Sequence, residues 1–326
     1  MKKWIYFFNK KHIFIILIIL MIVEFHAFKK YKYCMNCCKS FTKNCKRCSV
    51  QIVFKGLKIL SDEKTLDEII IHNKSISRYG DGEFLIIFGN SIKFQKKDVI
   101  LKKRLIEILK INDKNFLIGI NLPYRNKDLK KLIEYSKNYW YNFVDSNKFK
   151  IVKLLNKTNI YYSSTISRFY FRYKKKKNIP KYIKKLKKIW EQKDILIIEG
   201  EKSRVGIGND LFNNSKSIKR IICPNFNAFK VYNKIIKAVL TIKEKRLILI
   251  ALGPTATVLA YDLYKLGYQS IDIGHLDIEY EWFLRNASSK IAIENKIVIE
   301  NHENNNTFTK IRDEKYYKQI IAKILS

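Results

Sequence analysis

The sequence predicts an α/β fold, a mostly parallel sheet with helices on both faces. Three observations carry that prediction. "DILIIEG" (194–200), "IKRIICP" (218–224) and "KRLILIALG" (245–253) are near-continuous apolar runs, the pattern of strands buried on both faces. They alternate with helix-period segments, "FNAFKVYNKIIKAVL" (226–240) and "TATVLAYDLYKLG" (255–267), as in βαβ units. The chain of 326 residues is 47% hydrophobic with only 4 Pro and 11 Gly, enough apolar surface for a core and too few breakers for a long flexible linker.

Taken in order, the remaining elements fit that frame. "SDEKTLDEIIIHN" (61–73) reads as a helix, with Thr65 and Glu68 matching a capping box. "SISRYG" (75–80) is a short strand ending at Gly80. "DVILKKRLIEILKI" (98–111) is a helix with Asp98 as N-cap. "NFLIGI" (115–120) and "NIYYSS" (159–164) are strands, and "KDLKKLIEYSKNYWYNF" (127–143) is one amphipathic helix between them. "SIDIGH" (270–275) is the last strand, and the tail with "ENHENNN" reads as loop. Cys223, on an apolar run, reads as an ordinary core cysteine.

Lys+Arg total 65 against 29 Asp+Glu, a formal charge of +36. Such a field attracts polyanions. Its basic residues are spread along the chain instead of gathered with aromatic platforms, so no nucleic-acid partner is expected. A lysine-rich composition alone yields the same excess. "RYKKKKNIPKYIKKLKKIW" (172–190) is the most basic stretch, a solvated helix face or a phosphate- or lipid-facing surface.

Residues 1–28 carry the apolar run "IFIILIILMIV" (13–23), with Lys2, Lys3, Lys10 and Lys11 before it and Lys29, Lys30 and Lys32 after it. It is shorter than the ~20 residues of a spanning helix. Residues 1–28 are expected to be a membrane anchor or signal-like segment, which makes the chain membrane-associated, single-pass or peripheral, on an undetermined side. A cysteine-rich basic linker follows over 29–56. Its Cys34, Cys37, Cys38, Cys45 and Cys48 are spaced C-x2-C-C-x6-C-x2-C. Cys34, Cys37, Cys45 and Cys48 can supply four thiolates to Zn²⁺. Disulfides or lipidation are the rivals. The main domain is expected over 57–288, with an extension over 289–326.

Four polar clusters fall at predicted strand ends, where such sheets bind ligands. In "SISRYGDGEF" (75–84), Asp81 and Glu83 stand two residues apart in a basic chain. Carboxylates this close repel unless a cation, or the neighbouring Arg78, relieves them. A Mg²⁺ or Mn²⁺ ion held by one or two carboxylates completes its shell with water and phosphate oxygens. In "EGEKSRVGIGND" (199–210), Gly200, Gly206 and Gly208 permit close backbone approach, Arg204 suits a phosphate, and Asn209 and Asp210 suit sugar hydroxyls. In "ALGPTATV", Gly253 to Thr257 open a helix whose free N–H groups suit an anion, with Thr255 as a cap. In "GHLDIEYEWF", His275 precedes Asp277, Glu279 and Glu281, a set able to bind a divalent ion or exchange protons.

Four segments in this order, 75–95, 198–212, 218–229 and 247–283, resemble the GT-D type glycosyltransferases. The resemblance spans about residues 57–285 and implies a Rossmann-like sheet and a glycosyltransferase acting on a nucleotide-sugar donor. It implies a UDP-linked donor, with UDP-glucose or a related hexose expected, and Mn²⁺ or Mg²⁺ as cofactor. Asp81 and Glu83 look like the family's D-x-E motif. His275 and Glu281 fall in its second acidic motif near the metal, and Arg204 and Asn209 match its donor loop. The site expected is thus Asp81, Glu83 and Glu281 for catalysis, and Asp81, Glu83, His275 and Glu281 for the metal. Arg78, Gly80, Arg204, Asn209, Gly253 and Thr255 are expected around the donor. A glycan, glycoprotein or lipid-linked acceptor completes the reading. The alternative is a non-catalytic, membrane-tethered protein that binds polyanions or glycans.

Overall fold

The computed structural model describes residues 46–123, 125–298, 308 and 313–325. The chain divides into two compact units, Met1–Lys55 and Gly56–Ser326. In the first, the described element is helix α1 (Lys46–Val53), which contains Cys48. The apolar run 13–23 and Cys34, Cys37, Cys38 and Cys45 lie outside the described residues, and the anchor and zinc expectations lie there with them. Among the described residues no helix is long and apolar enough to cross a membrane.

The second unit is built on a nine-stranded sheet in the order β1-β4-β3-β2-β8-β7-β5-β6-β9. In chain order the strands are β1 (Lys58–Ile59), β2 (Ser75–Tyr79), β3 (Phe116–Ile120), β4 (Ile160–Ser163), β5 (Asp194–Gly200), β6 (Ser217–Cys223), β7 (Leu247–Ala251), β8 (Ser270–Asp272) and β9 (Ile320–Lys323). Neighbouring strands pair in parallel throughout. The apolar runs are buried on both faces because alternate side chains enter different cores. Ile195, Ile197, Leu247 and Leu249 join one cluster with Leu66 and Ile69 of helix α2 (Asp62–Ile71). Leu196, Ile198, Ile248 and Ile250 join the other, with Ile235, Val239, Leu259 and Leu263. Cys223 lies in that second core as a free thiol, its pKa pushed up to about 12 by burial.

Several local expectations change. Helix α2 is capped by Ser61, whose hydroxyl accepts from Lys64 N, and not by Thr65, whose own hydroxyl donates to the Ser61 carbonyl. Helix α3 (Asp81–Ile87) follows β2, and α4 (Val99–Leu109) keeps Asp98 as its cap. The single helix expected over 127–143 is two, α5 (Asn126–Leu129) and α6 (Glu134–Leu154). Between them Ile133 N donates to Arg172 O and Lys174 N to Lys131 O, which holds that stretch out of the helical ladder. The basic stretch contributes α7 (Ile179–Lys187), with Pro180 in its first turn. Helix α8 (Tyr232–Leu240) follows β6, α9 (Pro254–Lys265) joins β7 to β8, and α10 (Leu276–Leu284) follows β8.

The tail is not loop throughout. Helix α11 (Glu314–Gln319) leads into β9, which pairs with β6 at the sheet edge. This edge covers a buried ion pair. Arg220 Nη1 meets Glu199 Oε1 at 2.5 Å with both side chains almost fully buried. Arg220 Nε donates to Gln319 Oε1 at 2.7 Å, and its guanidinium lies 5.2 Å from the Tyr316 ring. Removing one partner of such a pair strands a buried charge. Arg220→Leu is expected to cost about 3–5 kcal/mol, read as a lower urea midpoint. Adding Glu199→Leu should restore part of that loss. A single variant as stable as the parent would show the pair to be energetically idle.

Candidate active site

The carboxyl ends of the central strands open into one cleft of about 790 Å³. Its wall includes Gly80 to Glu83 after β2, Asn121 after β3, Ser164 and Thr165 after β4, Ser203 and Val205 after β5, Gly253 after β7, and Gly274 and His275 after β8.

Strand β2 is central, yet "SISRY" is half polar. Its hydroxyls and guanidinium bond across to β8 and α9. Ser75 Oγ accepts from Ser270 N at 2.9 Å, and Ser77 Oγ donates to Thr257 O. Arg78 Nη2 lies 3.0 Å from Asp272 Oδ1, while Nη1 donates to Ser164 O at 2.8 Å and to Ser167 Oγ at 2.5 Å. Burial pushes the Asp272 carboxyl up, against the pull of Arg78. The guanidinium fills the space beside Gly274, where an added Cβ would sit 1.8 Å from Nη2. Arg78 therefore lines the cleft and is committed to the protein.

The two carboxylates of the D-x-E stretch point to different partners. Glu83 turns back to accept from Gly80 N at 2.7 Å, capping α3. Asp81 accepts from the Tyr139 hydroxyl of α6. Burial pushes the Glu83 carboxyl up to about 7; the Gly80 N–H opposes this, and the charges of Asp272 and Asp81 add to it.

Helix α10 separates the acidic residues that follow His275. At 100° per residue, Asp277 and Glu281 share one face and Glu279 takes another. Lys296 Nζ reaches Asp277 Oδ2 at 2.6 Å and Glu281 Oε1 at 2.8 Å, and Asn209 Nδ2 donates to both carboxylates. Burial acts to raise the Glu281 pKa, but Lys296, Asn209 and Arg285 hold it below the usual range. Glu279 accepts from Tyr170 N and Phe171 N at 2.9 and 3.0 Å, fixing the segment before Arg172. His275, Asp277 and Glu279 line the cleft, whereas Glu281 is not on its wall.

The glycine-rich loop is largely an internal joint. A Cβ at Gly206, whose φ is +76°, would come within 2.4 Å of the Phe212 ring, and one at Gly200 within 2.8 Å of Asn225 Oδ1. Arg204 Nη1 donates to Asn295 O at 3.0 Å. Arg204 and Asn209 are absent from the cleft wall, as is the fully buried Thr255. Gly253, at φ +53°, takes the N-cap position of α9 in place of Thr255, and it does face the cleft with Pro254.

The structure thus gathers Arg78, Gly80, Asp81, Glu83, Gly253 and His275 around one cavity, and leaves Arg204, Asn209, Thr255 and Glu281 behind it. It adds an aromatic side that the residue patterns did not single out: Tyr135, Tyr139 and Trp140 of α6, with Phe171. "EYSKNYWYNF" carries that signal, because so many large rings on one polar helix exceed what a core stripe needs. Among the described residues no group of three or more His, Cys, Asp or Glu is placed to hold a metal ion by itself.

The family described as glycosyltransferase GT-D fold matches residues 76–301. Glycosyltransferase GlyD of Streptococcus pneumoniae is 37% identical over 83% of this chain, and probable glycosyl transferase Gly of Streptococcus gordonii is 38% identical over 83%. The chain spans only 33% and 39% of the length of these two relatives. Among solved structures, a highly conserved domain of unknown function with a distinct glycosyltransferase fold is similar at 35% identity and a TM-score of 0.80, over 86% of this chain and 100% of that one. A new glycosyltransferase from Streptococcus sanguinis is similar at 38% identity and a TM-score of 0.78, over 82% and 99%.

Glu83 makes stability depend on pH. Between about 4.5 and about 7 the folded protein keeps a proton on Glu83 that the unfolded chain has released. The folded state then binds more protons, so stability falls as pH rises across that window. Glu83→Gln, which can still accept from Gly80 N, should flatten this slope in metal-free urea titrations. A slope unchanged in the variant would assign the titration to another group.

Proposed function

The chain belongs to the glycosyltransferase GT-D fold family, and from that premise we propose that it transfers a sugar from a nucleotide-diphosphate donor to an acceptor hydroxyl. The donor is a UDP-sugar, UDP-glucose or a related hexose. The acceptor is a glycan, a glycoprotein or a lipid-linked saccharide. The observation that carries this reading is the meeting of Asp81, Glu83, His275 and the start of α9 in one cleft at the strand ends.

Asp81 and Glu83 are the residues that would hold Mn²⁺ or Mg²⁺. Their oxygens suit a hard cation, and Asp81 and Asp272 add negative charge beside the Glu83 carboxyl, whose pKa burial chiefly raises. With no larger ligand group among the described residues, the rest of the shell falls to donor phosphates and water. Bound there, the ion would neutralise charge developing on the diphosphate as it leaves. The start of α9 lines the same cleft with Gly253 and Pro254, and the positive end of its helix dipole favours a phosphate there.

In the transfer, the bond from the anomeric carbon to the diphosphate oxygen breaks. A bond to the acceptor oxygen forms, and the acceptor hydroxyl loses its proton. His275 lines the cleft and is the side chain suited to take that proton. Glu281 is the weaker candidate, since Lys296 and Asn209 already engage it. It acts here by fixing α10, and so His275, from behind.

The test is release of UDP from UDP-sugars by the purified protein with Mn²⁺. Asp81→Ala should lower turnover roughly 100-fold or more with an unchanged melting temperature, and chelator should abolish it. Full turnover in the variant, or in chelator, would sink the metal assignment. His275→Ala is expected to lose about 10²–10⁴-fold in kcat. Glu281→Gln, if it only fixes the helix, should lose stability first.

A further inference from the structure

Helix α6 is unusual for the second unit. It spans Glu134–Leu154, yet only Ser136, Val144 and Ile151 of it are buried. Its large rings are therefore not spent on a core. Tyr135 is 60% exposed and Tyr139 42% exposed, and both face the cleft with Trp140 and Phe171. Tyr139 packs edge-on to Trp140 at 5.7 Å. Cationic side chains stand among the rings: Lys290 Nζ lies 5.5 Å from the Tyr135 ring and 5.7 Å from that of Phe171, and the Arg172 guanidinium lies 5.8 Å from Trp140. The Tyr139 hydroxyl joins this wall to Asp81.

We propose that this wall is the acceptor subsite and that it holds a neutral pyranose ring by stacking. The proposal rests on the glycosyltransferase reading for its place in the reaction, though not for its binding chemistry. A pyranose has an apolar C–H face and a rim of hydroxyls. Exposed aromatic faces match the first, and phenol, ammonium and guanidinium groups match the second. A polyanion is the poorer fit, because Lys290 and Arg172 already lie over rings, and Asp81 adjoins the wall. The contact from Tyr139 to Asp81 gives the subsite continuity with the place assigned to the donor. An acceptor ring stacked there would have its hydroxyls beside the D-x-E stretch.

The test reads saccharide binding without any donor. Saturation-transfer NMR is run with methyl β-glucoside, methyl β-galactoside and methyl β-N-acetylglucosaminide on the full chain, Tyr135→Ala and Trp140→Leu. UDP is titrated separately, with Mn²⁺. The parent should saturate the C–H face of at least one glycoside. Each variant should bind it about tenfold or more weakly, with UDP affinity and melting temperature unchanged. Tyr135 is exposed enough that its truncation leaves the fold intact. No glycoside bound by the parent, or binding indifferent to both substitutions, overturns the proposal. So does a tenfold loss of UDP affinity, which would give the wall to the nucleoside. Failure of the donor reading appears elsewhere, as a parent that binds glycosides and no UDP.

Discussion

The architecture of the cleft depends on one guanidinium. Backbone pairing between β2 and β8 is sparse, with the single registered pair Ile76↔Ile271, whereas β2 and β3 register over Ser75 to Tyr79. This seam joins the half of the sheet that holds β1 to β4 to the half that holds β5 to β9. Side chains make up the deficit. Ser75 and Ser77 bond across it, and Arg78 ties Asp272 of β8 to Ser164 and Ser167 beyond β4. The strand order jumps at this seam, from β2 to β8, and the cleft opens at the carboxyl ends of these strands, where α/β sheets bind ligands. The same residues that close the sheet therefore define the floor of the site.

The acidic character of that floor is a local achievement in a chain with formal charge +36. Asp81, Glu83, Asp272, Asp277 and Glu279 all reach the cleft. Each is restrained by a particular donor: Asp81 by the Tyr139 hydroxyl, Glu83 by a backbone N–H, Asp272 by Arg78, Asp277 by Lys296, Glu279 by two backbone N–H groups. Bulk charge says little about such a place. Short-range hydrogen bonds, set by which element passes where, decide which carboxylates remain available to a ligand.

Much of this was legible in the sequence. Apolar runs such as "DILIIEG" map directly onto strands, because burial on both faces leaves no room for polar alternation. The D-x-E stretch and Gly253 stand at strand ends as the βα pattern requires. What stayed hidden depends on distant partners. Glu281 reads as a catalytic and metal-binding carboxylate until Lys296 and Asn209 are seen beside it. Gly206 reads as a ligand contact until Phe212 is found in its space. Strand β9 was masked by the polar "ENHENNN" before it, and β1 is too short to leave a pattern. The aromatic side of α6 reads as ordinary amphipathicity unless one asks what each ring packs against.

Strand β9 has a consequence for where this domain ends. The family match stops at residue 301, while α11 and β9 span 314–323. A chain cut at the boundary of the match would keep every cleft residue named above, yet it would bare the edge of β6. It would also take Gln319 and Tyr316 away from Arg220. An open edge is a template for pairing with other chains. The range of the family match is thus shorter than the compact unit Gly56–Ser326, and a chain trimmed to it would carry an edge that invites aggregation.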